Sequence, residues 1–214
     1  MKNIKQQPMI TDEMIKKTLA LGKLIYAFGR IERAATHEDG VRHETDTDHT
    51  VMLGIIACAF ADVLEPTLDL GKVAQFALIH DFVEVYAGDV KTIVVNHEEL
   101  NSKEDRERAA QSCIKKEFGD VYPWISRTIE EYESLALPEA RFVKTLDKAM
   151  PAISYALTDG AGLRKLGITR EQLLNSDVQQ EYRLRQTYAH DQEKALCLRK
   201  KLLEIYSEHY GLEK

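Results

Sequence analysis

Apolar positions along this chain recur three to four residues apart far more often than they alternate, which is the periodicity of helices rather than strands. Thr11 is a predicted N-cap for a helix reaching Phe28, with Ile15, Leu19 and Leu24 toward one side and Gly29 closing it. From Thr47 to Ala61 the chain is nearly all apolar after His49, the composition of a core helix too short to span a bilayer. Asp69 is placed to cap a third helix running through Val73, His80 and Asp81 to Tyr86. Ala87 to Ser102 reads as a long loop, followed by helices at Lys103 to Phe118 and Trp124 to Leu135. Pro138 opens a further helix through Asp147, and two more fill Thr169 to Tyr210. The β-branched run Thr92 to Val95 is too short and isolated to build a sheet.

The pattern predicts an all-α fold: a compact helical bundle forming a single domain over residues 1–214. Its chemistry falls within residues 30–150, and the helices of residues 160–212 pack on that part. Composition agrees, since 44% apolar and 30% charged residues are spread along the whole length without a linker-like stretch. The N-terminal stretch has no apolar run of signal-peptide type, and no apolar run reaches the about 18 residues of a membrane span. Cys58, Cys113 and Cys197 share no CxxC spacing. The expectation is a cytoplasmic protein without a membrane partner. A formal charge of -6, with no Lys/Arg run interleaved with aromatics, argues against a nucleic-acid polymer as partner. A small anionic substrate would need local help from a metal or an arginine.

His80, Asp81 and Glu84 interrupt an otherwise apolar run. Burying an uncompensated carboxylate costs several kcal/mol, so such a cluster requires a compensating charge, which a metal ion supplies. On a continuous helix His80 and Glu84 are i, i+4 and Asp81 and Glu84 are i, i+3, so all three border one cavity. His49, at the start of the neighbouring core helix, faces the same spot. A mixed His/Asp set suits a divalent cation such as Mn, Co, Fe, Zn or Mg. The plainer alternative has His49 and His80 as core histidines satisfied by Asp48 and Asp81.

The ordered set extends further. Glu44 stands five residues before His49, Glu84 and Gly88-Asp89 follow His80-Asp81, and Glu131-Tyr132-Glu133 precedes a stretch from Glu139 through Lys144 to Asp147-Lys148. This order resembles the HD-domain superfamily of metal-dependent phosphohydrolases, and most closely its YfbR-type 5′-deoxynucleotidase branch. The resemblance implies His49, His80, Asp81 and Asp147 as metal ligands, with Glu84 and Asp89 positioning the attacking water and handling its proton. It implies Arg33 as the receiver of the substrate phosphate. Lys91 and Thr92, in the loop just after Gly88-Asp89, are further candidate substrate contacts. The implied substrate is a small phosphorylated molecule, a nucleoside 5′-monophosphate, and the implied assembly a homodimer. Ala34 departs from the pattern, which has a Trp tied to sugar selection there, so ribo or deoxy preference stays open. Alternatives are a nucleoside triphosphate or an alarmone on the same site, or a non-catalytic helical binding module stabilised by its metal. Val85, where alarmone hydrolases carry an acidic residue, counts against the alarmone. Pro151 predicts either a kink in a helix continuing past Asp147 or the end of that helix.

Overall fold

The structure is a computed structural model and describes residues 9–88, 97–165 and 167–209. In chain order the elements are α1 (Asp12–Phe28), β1 (Glu32–Thr36), β2 (His43–Thr45), α2 (Asp46–Leu64), α3 (Leu70–Ile79), α4 (Glu84–Ala87), α5 (His97–Phe118), α6 (Pro123–Ser134), α7 (Pro138–Asp147), α8 (Met150–Leu157), α9 (Ala161–Lys165), α10 (Arg170–Thr187) and α11 (Glu193–His209). The fold class is all-α, as the periodicity predicts.

Three helices meet at the centre. Leu53, Ala57 and Ala61 form the inward i, i+4 stripe of α2 and are fully buried. They meet Val73, Phe76 and Ala77 of α3 and Phe142, Val143 and Leu146 of α7 in one core, where the rings of Phe60 and Phe142 stack at 6.2 Å. Ile114 and Phe118 of α5 and Ile125, Ile129 and Tyr132 of α6 extend this core on one side, and α11 packs against α7 and α8 on another. A smaller cluster of Leu184, Ala189 and Leu196 joins α10 to α11.

Several boundaries differ from the sequence expectation, each for a physical reason. Thr11 caps α1 by accepting from the Met14 amide; of the expected side Leu24 packs on the core, joined by Leu21 and Phe28, while Ile15 and Leu19 are exposed. Between α1 and α2 the chain forms a short antiparallel hairpin, pairing Glu32 with Thr45 and Thr36 with His43 across an irregular register. Its turn is built by Asp39, whose carboxylate accepts from the Val41 and Arg42 amides, and by Gly40 at φ +65°. The predicted loop of Ala87 to Ser102 already becomes helix at His97. At 19 residues, about 28 Å at 1.5 Å per residue, α2 is long and apolar enough to cross a bilayer by length and composition, which corrects the shorter estimate. At Pro151 the outcome is a helix end: α7 stops at Asp147, and Pro151 lies in the first turn of α8, where its missing N–H costs nothing.

Candidate metal centre

The first turn of α2 carries His49. That turn is fixed by a reciprocal cap, in which the Thr45 side chain accepts from the Asp48 amide and the Asp48 carboxylate accepts from the Thr45 amide. His80 and Asp81 do not lie within a continuous helix. α3 ends at Ile79, and the chain continues in tighter turns, with the Phe82 amide donating to Ile79 and the Glu84 amide to Asp81. The expected i, i+4 neighbourhood of His80 and Glu84 is therefore replaced by a turn that keeps Glu84 near Asp81. Asp147 ends α7. The three elements that form the core thus each deliver a polar residue to one place.

His49, His80, Asp81 and Asp147 each offer one ligand atom, all within 4.8 Å of one another. His49 Nε2 is 2.9 Å from Asp147 Oδ1, while His80 Nε2 lies 3.0 Å from Asp81 Oδ2 and 3.9 Å from Asp147 Oδ1. The imidazole rings are 5.3 Å apart. His80 Nδ1 donates to the Ala77 carbonyl at 2.8 Å, which leaves the lone pair on Nε2 facing the cluster. That nitrogen is buried and has no hydrogen-bond partner. A buried ring nitrogen whose tautomer is fixed by a backbone acceptor, set beside two carboxylates, fits a divalent cation.

A second acidic group overlaps the first, since Asp46, Asp81 and Glu84 also lie within 4.8 Å of one another. Arg33, on β1, reaches across it, donating from Nη1 to Asp81 Oδ2 at 2.8 Å and Asp46 Oδ1 at 3.0 Å. Burial opposes the Arg33 charge, but Asp81, Asp147 and Asp46 outweigh it and hold the guanidinium firmly protonated. Burial also penalises the Asp147 carboxylate, yet Lys148 and the two histidines keep it well below the usual carboxylate range. For His49 the desolvated ring is disfavoured as a cation, but its hydrogen bond to Asp147 and the nearby Glu44 carboxylate push it up to about 9. The site attracts positive charge from every available source.

Supporting contacts explain the rest of the ordered motif. Glu44, the central residue of β2, is buried, with Oε1 3.6 Å from His49 Nδ1 and Oε2 3.9 Å from Arg33 Nε. Lys148 Nζ donates to Asp147 Oδ2 at 2.5 Å, leaving Oδ1 for the histidines. Tyr132 is buried beside His80, with rings 6.5 Å apart, and Glu131 and Glu133 pair with Lys72 and Lys144. Lys144 therefore braces Glu133 and the Tyr132 ring. Glu139 accepts from the Asp69 amide. Asp89, Lys91 and Thr92 lie outside the described residues. The sequence alone assigns no role to Asp46, Glu44 or Lys148, although Glu44 and Lys148 stand within the ordered motif and Asp46 lies between Glu44 and His49.

The sequence profile of the HD domain matches residues 29–187. The chain belongs to the HD-domain family. Over 113 residues this HD-domain protein is 29% identical to the 5′-deoxynucleotidase hdd1 of Schizosaccharomyces pombe, covering 49% of this chain and 53% of that one. Over 128 residues it is 27% identical to the human 5′-deoxynucleotidase HDDC2, covering 59% of this chain and 60% of that one. The chain thus spans little more than half the length of the curated relatives it matches. Among solved structures it is similar to a predicted metal-dependent phosphohydrolase from Magnetospirillum magnetotacticum MS-1, with a TM-score of 0.69 and 25% identity over 93% of this chain and 98% of that one.

Proposed function

We propose that this HD-domain protein is a divalent-metal-dependent phosphohydrolase that cleaves nucleoside 5′-monophosphates. The observation that carries the proposal is the convergence of His49, His80, Asp81 and Asp147, with His80 Nε2 buried, oriented and without a hydrogen-bond partner. When bound, a divalent cation supplies Lewis-acid polarisation of a phosphoryl oxygen and a more acidic water nucleophile. Arg33, close to Asp81 at one edge of this cluster, offers a fork of donors suited to a phosphate dianion. Glu84 is buried within reach of the same carboxylates and takes the role of general base toward the attacking water. Names of the similar proteins support the nucleotide as substrate.

The active form is a homodimer. Val51, Ile55 and Val63 lie four or eight residues apart on α2 and are 52%, 66% and 74% exposed, with Leu78 of α3 at 56%. Such an apolar stripe on a core helix is better covered than wetted, and a second copy of the chain supplies the matching face. The functional reading is tested by screening nucleoside mono-, di- and triphosphates, ribo and deoxy, with added Mn2+, Co2+ or Mg2+. Release of inorganic phosphate from monophosphates supports it. Hydrolysis confined to triphosphates, with a longer phosphate product, contradicts it.

A further inference from the structure

Glu44 is the only carboxylate of the hairpin that is buried among the described residues, and its two oxygens face different partners. Oε1 stands 3.6 Å from His49 Nδ1 and Oε2 stands 3.9 Å from Arg33 Nε. We infer that Glu44 is a positioning residue that couples the metal centre to the phosphate-binding arginine, holding His49 with one oxygen and Arg33 with the other. The inference rests on the metal-dependent reading given above.

The proton on His49 determines which of its nitrogens can ligate. Nε2 lies 2.9 Å from Asp147 Oδ1, a hydrogen bond that requires a proton on that nitrogen. A ligating nitrogen must instead present its lone pair, so the neutral ring keeps its single proton on Nδ1. Nδ1 faces Glu44 Oε1, and a carboxylate is the acceptor that fixes this tautomer and makes the ligand more basic. The second oxygen works on Arg33. Nη1 is already engaged by Asp46 and Asp81, so the attraction of Glu44 at Nε is what fixes the side-on edge of the guanidinium. Backbone geometry makes both contacts possible, because Glu44 lies on β2 next to β1, which carries Arg33, and one residue before the cap of α2, which carries His49.

Two variants separate the two contacts. Glu44→Gln retains a neutral oxygen for His49 Nδ1 but removes the charge beside Arg33, whereas Glu44→Ala removes both. Calorimetric titration with Mn2+, and then with inorganic phosphate on the Mn2+-loaded protein, reads each contact without recourse to turnover. Glu44→Ala is expected to weaken Mn2+ binding by about ten- to hundredfold. Glu44→Gln is expected to restore most of that affinity while still weakening phosphate binding. If Glu44→Ala does not fold, Glu44→Gln decides alone: near-normal Mn2+ affinity with weakened phosphate binding supports the inference. Unchanged affinity for both probes in either folded variant overturns it, as does equal loss of Mn2+ affinity in Gln and Ala. A wild-type protein that binds no Mn2+ overturns the metal-dependent reading itself and this inference with it.

Discussion

His80 is held by one backbone acceptor, the Ala77 carbonyl, which leaves its Nε2 facing the cluster. His80→Ala is therefore expected to abolish divalent-ion binding measured by calorimetry, with little loss of helical content by circular dichroism. Glu84 has a different expected signature. Glu84→Gln is nearly the same size and removes only the proton acceptor, so Mn2+ affinity should stay near wild type while kcat on the best monophosphate falls about 10²- to 10⁴-fold. Equal loss of metal binding and turnover would assign Glu84 to the ligand set instead. At this scale His80 and Asp81 stand out by their apolar surroundings and His49 by its place at the start of the core helix, whereas Asp147, about a hundred positions from His49, enters through the family resemblance. Glu44, Asp46 and Lys148 stayed unassigned, since their contacts depend on where a strand hands over to a helix and on which oxygen of Asp147 faces outward.

Elements position these residues through their ends. The Thr45 cap begins α2 four residues before His49, so Thr45→Ala should cost about 1 kcal/mol in a urea melt. It should also weaken Mn2+ binding, because the frayed turn carries a ligand. Another joint fastens the carboxy-terminal helices to α7. Arg141 donates to Asp191, ahead of α11, and to the carbonyls of Leu135 and Ala136. The hydrogen bond from Arg141 lowers the Asp191 carboxyl to about 2. A carboxyl lowered on folding stabilises the folded state above its unfolded value, and that contribution is lost as pH falls through the folded one. Partly exposed, the pair is worth at most about 1 kcal/mol. Melts of Asp191→Asn should lie slightly below wild type at neutral pH and converge with it as pH falls toward about 2.

Helix positions are legible because the 3.6-residue period and the caps at Thr11 and Asp69 are local signals. The hairpin was not, because Glu32–Thr36 and His43–Thr45 lack a β-branched alternation. Its one local mark was the Asp39-Gly40 turn. The break after Ile79 is hidden in the sequence for the converse reason: its residues suit a helix, and the tighter turns accompany the packing of Phe82 and Val83 into the core.

On the scale of the whole molecule, α2 serves two faces. Inward it carries Leu53, Ala57 and Ala61, and outward it carries Val51, Ile55 and Val63. Sequence alone could not divide these, because both faces are apolar and only the neighbours decide which is covered. Ile55→Asp should convert the proposed homodimer to a monomer in light scattering coupled to gel filtration, with the fold retained. A wild-type protein that is monomeric at all concentrations would contradict the proposed assembly.

The most direct test is a crystal grown with Mn2+ and recorded for anomalous scattering. The expected result is a single ion within ligand distance, about 2.0 to 2.3 Å, of His49 Nε2, His80 Nε2 and carboxylate oxygens of Asp81 and Asp147. An ion found elsewhere, or none at saturating Mn2+, would contradict the account.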